Sequence, residues 1–243
     1  MSRRIVVAID DTDMPGTRGT GRLARMLADE IVATGLGTSL GVTRHQFWVG
    51  PGVPMTSHNS AAALMFESDR DAAEFEAFAR EVLAREFIEG SDPGLAVLER
   101  RAPGVAVAFA RRAQNGLVSR DEAERIASMA SIRLLGLAGT RDGMIGALAA
   151  ATLRFEGNDG RFVGLPGIRD LLGRMRVAEI YAAAPVDLVL DEESGAPLPD
   201  DAMVDTGDWV RPRLMEGRAV VVARGTGEAG VWANVDRRMG HED

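Results

Sequence analysis

The chain has no cysteine. Disulfides, thiol nucleophiles and thiolate zinc sites are therefore all excluded, and any metal is left to oxygen ligands or to the three histidines. Lysine is missing too, so all 28 basic side chains are arginine. That excludes a Walker A lysine, the strand lysine of protein kinases, Schiff-base chemistry and pyridoxal phosphate enzymology. Phosphate charge would have to be met by arginine, metal or backbone N–H groups. No apolar run approaches the ~20 residues of a membrane span, and the short run near the N-terminus ends in acids. Neither a span nor a signal peptide is expected, and the cytoplasm is the default location. Internal repeats and low-complexity tracts are also lacking.

What is present is ordinary globular material, with 46% hydrophobic and 26% charged residues in 243 positions. That length suits one large domain, or a domain with a small companion. The net charge of -8 disfavours a dedicated nucleic-acid binder, whose affinity depends on neutralising phosphates. A local arginine patch could override that average.

The richest stretch is Ile5 to Gly21, IVVAIDDTDMPGTRGTG. It reads as a buried strand ending in Asp10, Asp11 and Asp13, then a Thr/Gly loop with Gly16, Thr17, Gly19, Thr20 and Gly21, then a helix over about 22–33. Backbone N–H groups at a helix start attract phosphate. Clustered carboxylates repel one another and any phosphate unless a divalent cation neutralises them. Mg²⁺ fits, because it favours oxygen and bridges one or two carboxylates to phosphate oxygens. The plainer reading is that Asp10 and Asp13 only make Asx-turns and a helix cap.

Further along, Gly35 to Gly41 is spaced GxGxxxG after a helix, so it reads as a helix stop rather than a dinucleotide fingerprint. Strands are expected at 40–49 and 62–66, with the polar loop Pro54 to Ala62 between them, where a sheet would present functional groups. His58 in that loop reads as a locally bonded histidine. The spacing of Ala72, Phe75, Phe78, Ala79, Val82 and Phe87 predicts an amphipathic helix over 69–87 with a core-facing aromatic stripe. A buried strand is expected at 105–110 and a helix at 119–135, opened by a Ser119/Glu122 capping box. Gly139 to Gly143, carrying Thr140 and Arg141, is a polar loop entering a helix of very small residues that could approach a backbone or ligand closely. Arg141 could meet phosphate as a planar fork. Beyond Arg161 the expected order is a strand at 162–165, a short helix at 167–175, a strand at 178–184, an acidic connection over 187–201, a last strand at 231–235 and a frayed tail from Arg237.

Ile9-Asp-Asp-Thr-Asp13 with its Gly/Thr loop resembles the opening of the archaeal isoleucine-tRNA agmatinylcytidine synthetase family. That family carries an IGIDDTDS motif and then GMCTT. Its acidic positions fall on Asp10, Asp11 and Asp13, and its phosphorylated threonine falls on Thr20. Thr56, Asn59 and Ala61 match a second segment, P-x-K-T-R-G-N-G-A, in which Ser57 replaces the arginine. Gly143 to Ala150 is similar to a third, G-x-G-L-V-G-A-x-A-A. A looser likeness to the family's ferredoxin-like module rests on Asp208, Gly217, Val221, Arg224 and Gly225.

The resemblance implies an α/β (α+β) chain. A mixed β-sheet with flanking helices would form an ATP- and Mg²⁺-binding kinase-like domain at residues 1–175, and a smaller ferredoxin-like α+β region would follow at 176–243. It implies ATP cleavage, with Asp10, Asp11 and Asp13 holding Mg²⁺ and Thr20 taking a phosphoryl group. Gly19, Gly21, Arg22, Asn59, Thr140, Arg141 and Gly143 would contact the nucleotide. The family's RNA-binding barrel and zinc ribbon have no counterpart here, and the second would need cysteines. The expectation is therefore an ATP-dependent phosphotransferase or ligase acting on an unknown small-molecule acceptor, with tRNA disfavoured, no membrane partner, and a homo-oligomer allowed. Two alternatives stand beside it. One is a nucleotide- or metabolite-binding regulator without turnover, and the other is a tRNA-modifying enzyme whose RNA-binding parts reside in a partner.

Overall fold

The computed structural model describes residues 2–53 and 58–236. Pro54 to Ser57 of the polar loop, including Thr56, and the tail from Arg237 lie outside the described residues. The chain divides into two compact units, Met1–Gly160 and Arg161–Asp243. The division falls at Gly160 rather than at 175, because Arg161 pairs with Arg213 and Phe162 N–H donates to Pro212 O at 2.8 Å. Residues 161–175 therefore belong with the second unit.

The first unit is built on five strands: β1 (Arg3–Asp10), β2 (Thr38–Gln46), β3 (Ser60–Ser68), β4 (Gly94–Leu98) and β5 (Arg133–Gly136). They pair antiparallel in the order β5-β4-β1-β3-β2. β1 is central, and Ile5 to Ile9 are fully buried. Its unbroken apolar run, without alternation, is what a strand covered on both faces requires. One face packs Val6, Ala8, Ala63 and Ala96 against α3 (Gly104–Asn115), α4 (Arg120–Ala130) and α5 (Gly143–Glu156). Ile5, Val7 and Ile9 point the other way by the two-residue period of a strand. On that side α1 (Thr20–Ala33) and α2 (Ala72–Glu86) contact the sheet and each other. Eleven of the fourteen residues of α5 are buried, and its alanines let it lie close to β1, β3 and β4.

Several expected elements hold. Gly35 adopts φ +72° just after α1 ends, and Ser119 Oγ accepts from Glu122 N–H at 3.3 Å at the start of α4. The strand expected at 105–110 is instead part of α3. Ala106, Phe109, Ala110 and Ala113 are its buried residues, a helical spacing that the alternating Val/Ala letters concealed. The strand lies earlier, at β4. The helix expected to reach Leu135 stops at Ala130, where Ser131 turns left-handed at φ +54° and the chain re-enters the sheet as β5.

The second unit holds β6 (Arg161–Gly164), β7 (Arg174–Arg176), α6 (Val177–Ala183), β8 (Leu188–Asp191), β9 (Met203–Asp205), β10 (Arg213–Met215), β11 (Arg218–Gly225) and β12 (Val231–Asn234). β8 and β9 pair parallel with β11 and β12, and the other pairs are antiparallel. Together the units show the α+β character and mixed strand pairing that the sequence implied. Ala178 to Ala184 is helical rather than extended, because Glu179 Oε2 accepts the Arg176 N–H at 2.6 Å and starts a turn, leaving Val177 and Ile180 on the buried side. The helix expected at 167–175 is reduced to one 3-10 turn, Ile168–Asp170, and the acidic connection contributes β8. Val177, Ile180, Val189, Val204 and Val221 are central to this unit's own core.

Candidate functional site

β1 delivers Asp10 at its last residue, paired with Gly94 of β4. Asp11 follows in the left-handed region at φ +50°, an uncommon conformation for a residue with a side chain and one that marks a constrained turn. Behind these residues lies the start of α5, brought close by glycine. A Cβ on Gly146 would sit 1.9 Å from Asp10 Oδ2, and one on Gly143 would sit 2.3 Å from Asp92 O. A Cβ on Gly94 would meet the Gly143 backbone at 2.1 Å. Only glycine permits this approach.

The result is an acidic corner. Burial pushes the Asp10 carboxyl up to about 8, with Asp11 and then Asp13 adding to the shift. Burial likewise raises Asp11 to about 6, and the nearby Asp92, Asp13 and Asp142 carboxylates contribute. Asp10 and Asp11 open on a cavity of about 410 Å³. Gly143, Gly146 and Asp142 complete its acidic end, while Phe47, Trp48, Leu117 and Val118 make an apolar wall.

Of the residues expected in the site, Asp10, Asp11, Asn59 and Gly143 line this cavity. Asn59 Nδ2 donates to Trp48 O at 2.8 Å, so its amide also anchors the apolar wall. Asp13 is turned to Thr20: its Oδ1 accepts the Thr20 hydroxyl at 2.6 Å and the Thr20 backbone N–H at 3.2 Å. Asp13, Gly19, Thr20, Gly21 and Arg22 are off the described cavity wall. A Cβ on Gly19 would meet nothing within 4 Å, so space does not require glycine there, and Arg22 is exposed. Thr140 holds the α5 entry loop together, donating to Asp92 through its N–H and its hydroxyl, both at 2.7 Å. Arg141 is also off the wall and pairs with Glu124 at 3.7 Å.

Among the described residues, no group of three or more His, Asp or Glu side chains is arranged to hold a metal ion. The three aspartates therefore do not form a ready cage, because Asp13 is committed to Thr20. Asp10 and Asp11 remain as two hard oxygen donors at one cavity end. That donor set fits Mg²⁺, which commonly takes one or two carboxylates and completes its shell with phosphate and water.

Three residues of the site escaped the sequence reading. Asp92 lies in a Ser-Asp-Pro-Gly segment, a turn-type sequence that carries no sign of a site. Arg120 read as the first turn of a helix, yet it is the one cation among the described residues lining the cavity. Its guanidinium donates to Thr140 O at 2.6 Å, and its Nε is buried without a hydrogen-bond partner. Trp48 carried no motif. No helix among the described residues is long and apolar enough to cross a membrane.

No family model matches the chain. A curated relative, the isoleucine-tRNA 2-agmatinylcytidine synthetase TiaS of Pyrococcus horikoshii, is 33% identical over 149 residues, which are 59% of this chain and 34% of the relative. The chain thus spans about a third of that protein's length. Among solved structures, a complex of TiaS with its isoleucine tRNA and ATP is similar at 29% identity and a TM-score of 0.52, covering 62% of this chain and 36% of that one. Apo TiaS, described as a tRNA agmatidine synthetase, is similar at 28% identity and a TM-score of 0.52, covering 61% and 35%. A complex of TiaS with the same tRNA, AMPCPP and agmatine follows at 25% identity and 0.51, covering 74% and 44%.

Proposed function

From a chain that is TiaS-like over the part these matches cover, we propose an ATP-using enzyme whose first unit activates an acceptor by phosphoryl transfer or ATP-driven ligation. The observation that carries this reading is one cavity lined by two carboxylates, Asp10 and Asp11, at one end and by a single arginine, Arg120, among the described residues. In such a site the nucleotide's phosphates would lie toward Asp10 and Asp11. Those two residues would hold Mg²⁺, which supplies charge neutralisation on phosphate oxygens. Arg120, with an unsatisfied Nε–H, would stabilise charge building on the transferring group. Asp142 and Asp92 keep the corner acidic, which favours a bound cation over an unaccompanied anion.

Thr20 is the proposed phosphate acceptor on the protein. Its Oγ1 would form the new P–O bond as the bond to the β-phosphate breaks and ADP leaves, and its proton would pass to Asp13, already 2.6 Å away. The disfavour that overall charge cast on tRNA is not supported by the TiaS complexes, which contain an isoleucine tRNA. An RNA acceptor therefore ranks first among those to test, with an amine as the second substrate class after agmatine in one of those complexes.

ATP consumption with and without Mg²⁺, in the presence and absence of tRNA, tests this reading. Product should form only with Mg²⁺, and Asp11→Asn and Arg120→Ala should each lose about 100-fold or more of the rate. Nucleotide bound without product would leave a regulatory binder, and no binding at all would remove the ATP reading.

A further inference from the structure

The apolar wall of the cavity is more organised than a catalytic corner needs. Trp48 follows the end of β2 and is held on both sides by hydrogen bonds: its N–H donates to Ala113 O at 2.9 Å, and its carbonyl accepts from Asn59 Nδ2 at 2.8 Å. The indole folds back over Gly50, where a Cβ would lie 2.6 Å from the ring, and a Cβ on Gly52 would lie 3.1 Å from Leu117 Cδ1. Gly50 makes room for the indole, and Gly52 on the same loop approaches Leu117, which comes from the connection between α3 and α4. The two large side chains are nevertheless open to solvent, Trp48 at 36% and Leu117 at 64%. A fixed aromatic ring and an exposed leucine on a cavity wall form unpartnered apolar surface, which marks a binding face.

The sheet sets the distance from this wall to the acids. β1 and β2 each pair antiparallel with β3, with Ile9, Ala62 and Arg44 in register across the three strands. The two strands therefore run the same way and end at the same edge, two strand spacings or about 10 Å apart. Asp10 is one residue past Ile9 on the first, and Trp48 is four past Arg44 on the second. That separation is on the scale of a nucleotide stretched from its terminal phosphates to its base. The side-chain pattern agrees: the Asp10 and Asp11 end suits phosphates with a cation, and Phe47, Trp48, Leu117 and Val118 offer apolar surface to a flat ring, with the polar Ser119, Arg120 and Asp121 following Val118 on the lining.

We propose that the Trp48 and Leu117 wall seats the adenine base of the ATP bound in this cavity, the ring lying against the indole while the phosphates extend to Asp10 and Asp11. This rests on the ATP reading above and assigns the other end of the same molecule. Stacking of a base on an aromatic side chain is sequence-tolerant and strong enough to dominate the non-phosphate part of affinity.

The test uses the full chain with Trp209→Phe and Trp232→Phe, which leaves Trp48 as the only indole of the three tryptophans. Its emission is followed while ATP or inorganic triphosphate is added with Mg²⁺, and both affinities are measured by calorimetry. ATP should quench Trp48, while triphosphate should bind without quenching. Trp48→Ala should weaken ATP by roughly tenfold or more and leave triphosphate unchanged. Leu117→Ser, at an exposed position that folding tolerates, should shift ATP in the same direction, and Trp48→Phe should restore most of the affinity. ATP binding that leaves Trp48 emission and the Trp48→Ala affinity unchanged would overturn the base assignment and leave the ATP reading standing. Triphosphate binding without ATP binding would also overturn it, and failure of both ligands would overturn the ATP reading and this inference together.

Discussion

Thr20 Oγ1 donates to Asp13 Oδ1 across 2.6 Å, and the same oxygen accepts the Thr20 backbone N–H at 3.2 Å. Thr12 Oγ1 lies 3.0 Å from the same hydroxyl. Asp13 thus closes the loop onto the first residue of α1 and holds the hydroxyl in a buried, oriented state, with Thr20 only 8% exposed. The pair serves both the helix start and the proposed phosphoryl transfer. Thr20→Val should lose any phosphate found on the chain after incubation with Mg-ATP and should cost about 1 kcal/mol of stability. Thr20→Ser should keep the phosphate, and Asp13→Asn should slow its appearance. Mass spectrometry of the peptide carrying residue 20, beside urea denaturation, reads both effects. Unmodified Thr20 in the wild-type chain would reduce the pair to a helix cap.

The glycines that matter most to the site are on α5 and β4 rather than in the loop after β1. A Cβ on Gly146 would stand 1.9 Å from Asp10 Oδ2 and 2.7 Å from its Cγ, so Gly146→Ala must displace the carboxylate or the helix. Overpacking of this kind typically costs about 1–3 kcal/mol. The variant should melt at lower temperature and lose Mg-dependent ATP binding. Gly19 has φ -71° and open space around it, so Gly19→Ala should keep both properties. Thermal denaturation and calorimetric titration of the two variants check this, and equal behaviour would mean that the close packing of α5 on Asp10 does not set the site.

The acidic end of β1 was legible because a continuous apolar run that stops at three acids has few other readings. α5 was legible because Gly and Ala at that density imply close packing. The apolar side of the cavity was not, since Trp48 follows β2 while Leu117 lies between α3 and α4, and only the fold brings these two segments together. Asp13 and Asp10 look equivalent as letters, but a left-handed Asp11 between them sends one to Thr20 and the other to the cavity. At 105–110 the β-branched letters Val105 and Val107 suggested a strand. Burial of Ala106, Phe109, Ala110 and Ala113 against α5 decided for a helix, a tertiary preference that outweighs local propensity. Small helices such as α6 depend on a single side-chain contact and leave almost no periodic signal.

His45, which is not among the residues lining the cavity, supplies the remaining test. It is completely buried on β2, with Nδ1 2.9 Å from Asp159 Oδ1 and Nε2 2.9 Å from Thr43 Oγ1. Asp159 only accepts, so Nδ1 carries the proton, and Nε2 accepts from the Thr43 hydroxyl, which is closer to it than to Ala63 O at 3.2 Å. Burial holds the imidazole below its usual 6.5, against the pull of Asp159, and the Arg154 and Arg111 charges lower it further. Burial opposes ionisation of Asp159, but hydrogen bonds from His45 and Gln114 hold its carboxyl below 3.8. Below about pH 6.5 the unfolded chain therefore takes up a proton at residue 45 that the native state refuses. Stability should fall as pH drops from 7 toward 5, by at most about 1.4 kcal/mol per pH unit from this group. The Asp159 contribution is present above pH 3.8 and is lost on further acidification through its lower folded value. Urea denaturation at pH 7.5, 6.5, 5.5 and 4.5 should show the decline, and His45→Gln should be less stable at pH 7.5 but flatter between 7.5 and 5.5. A wild-type profile that is level or rising over that interval would mean that the buried imidazole is held in its charged form by Asp159.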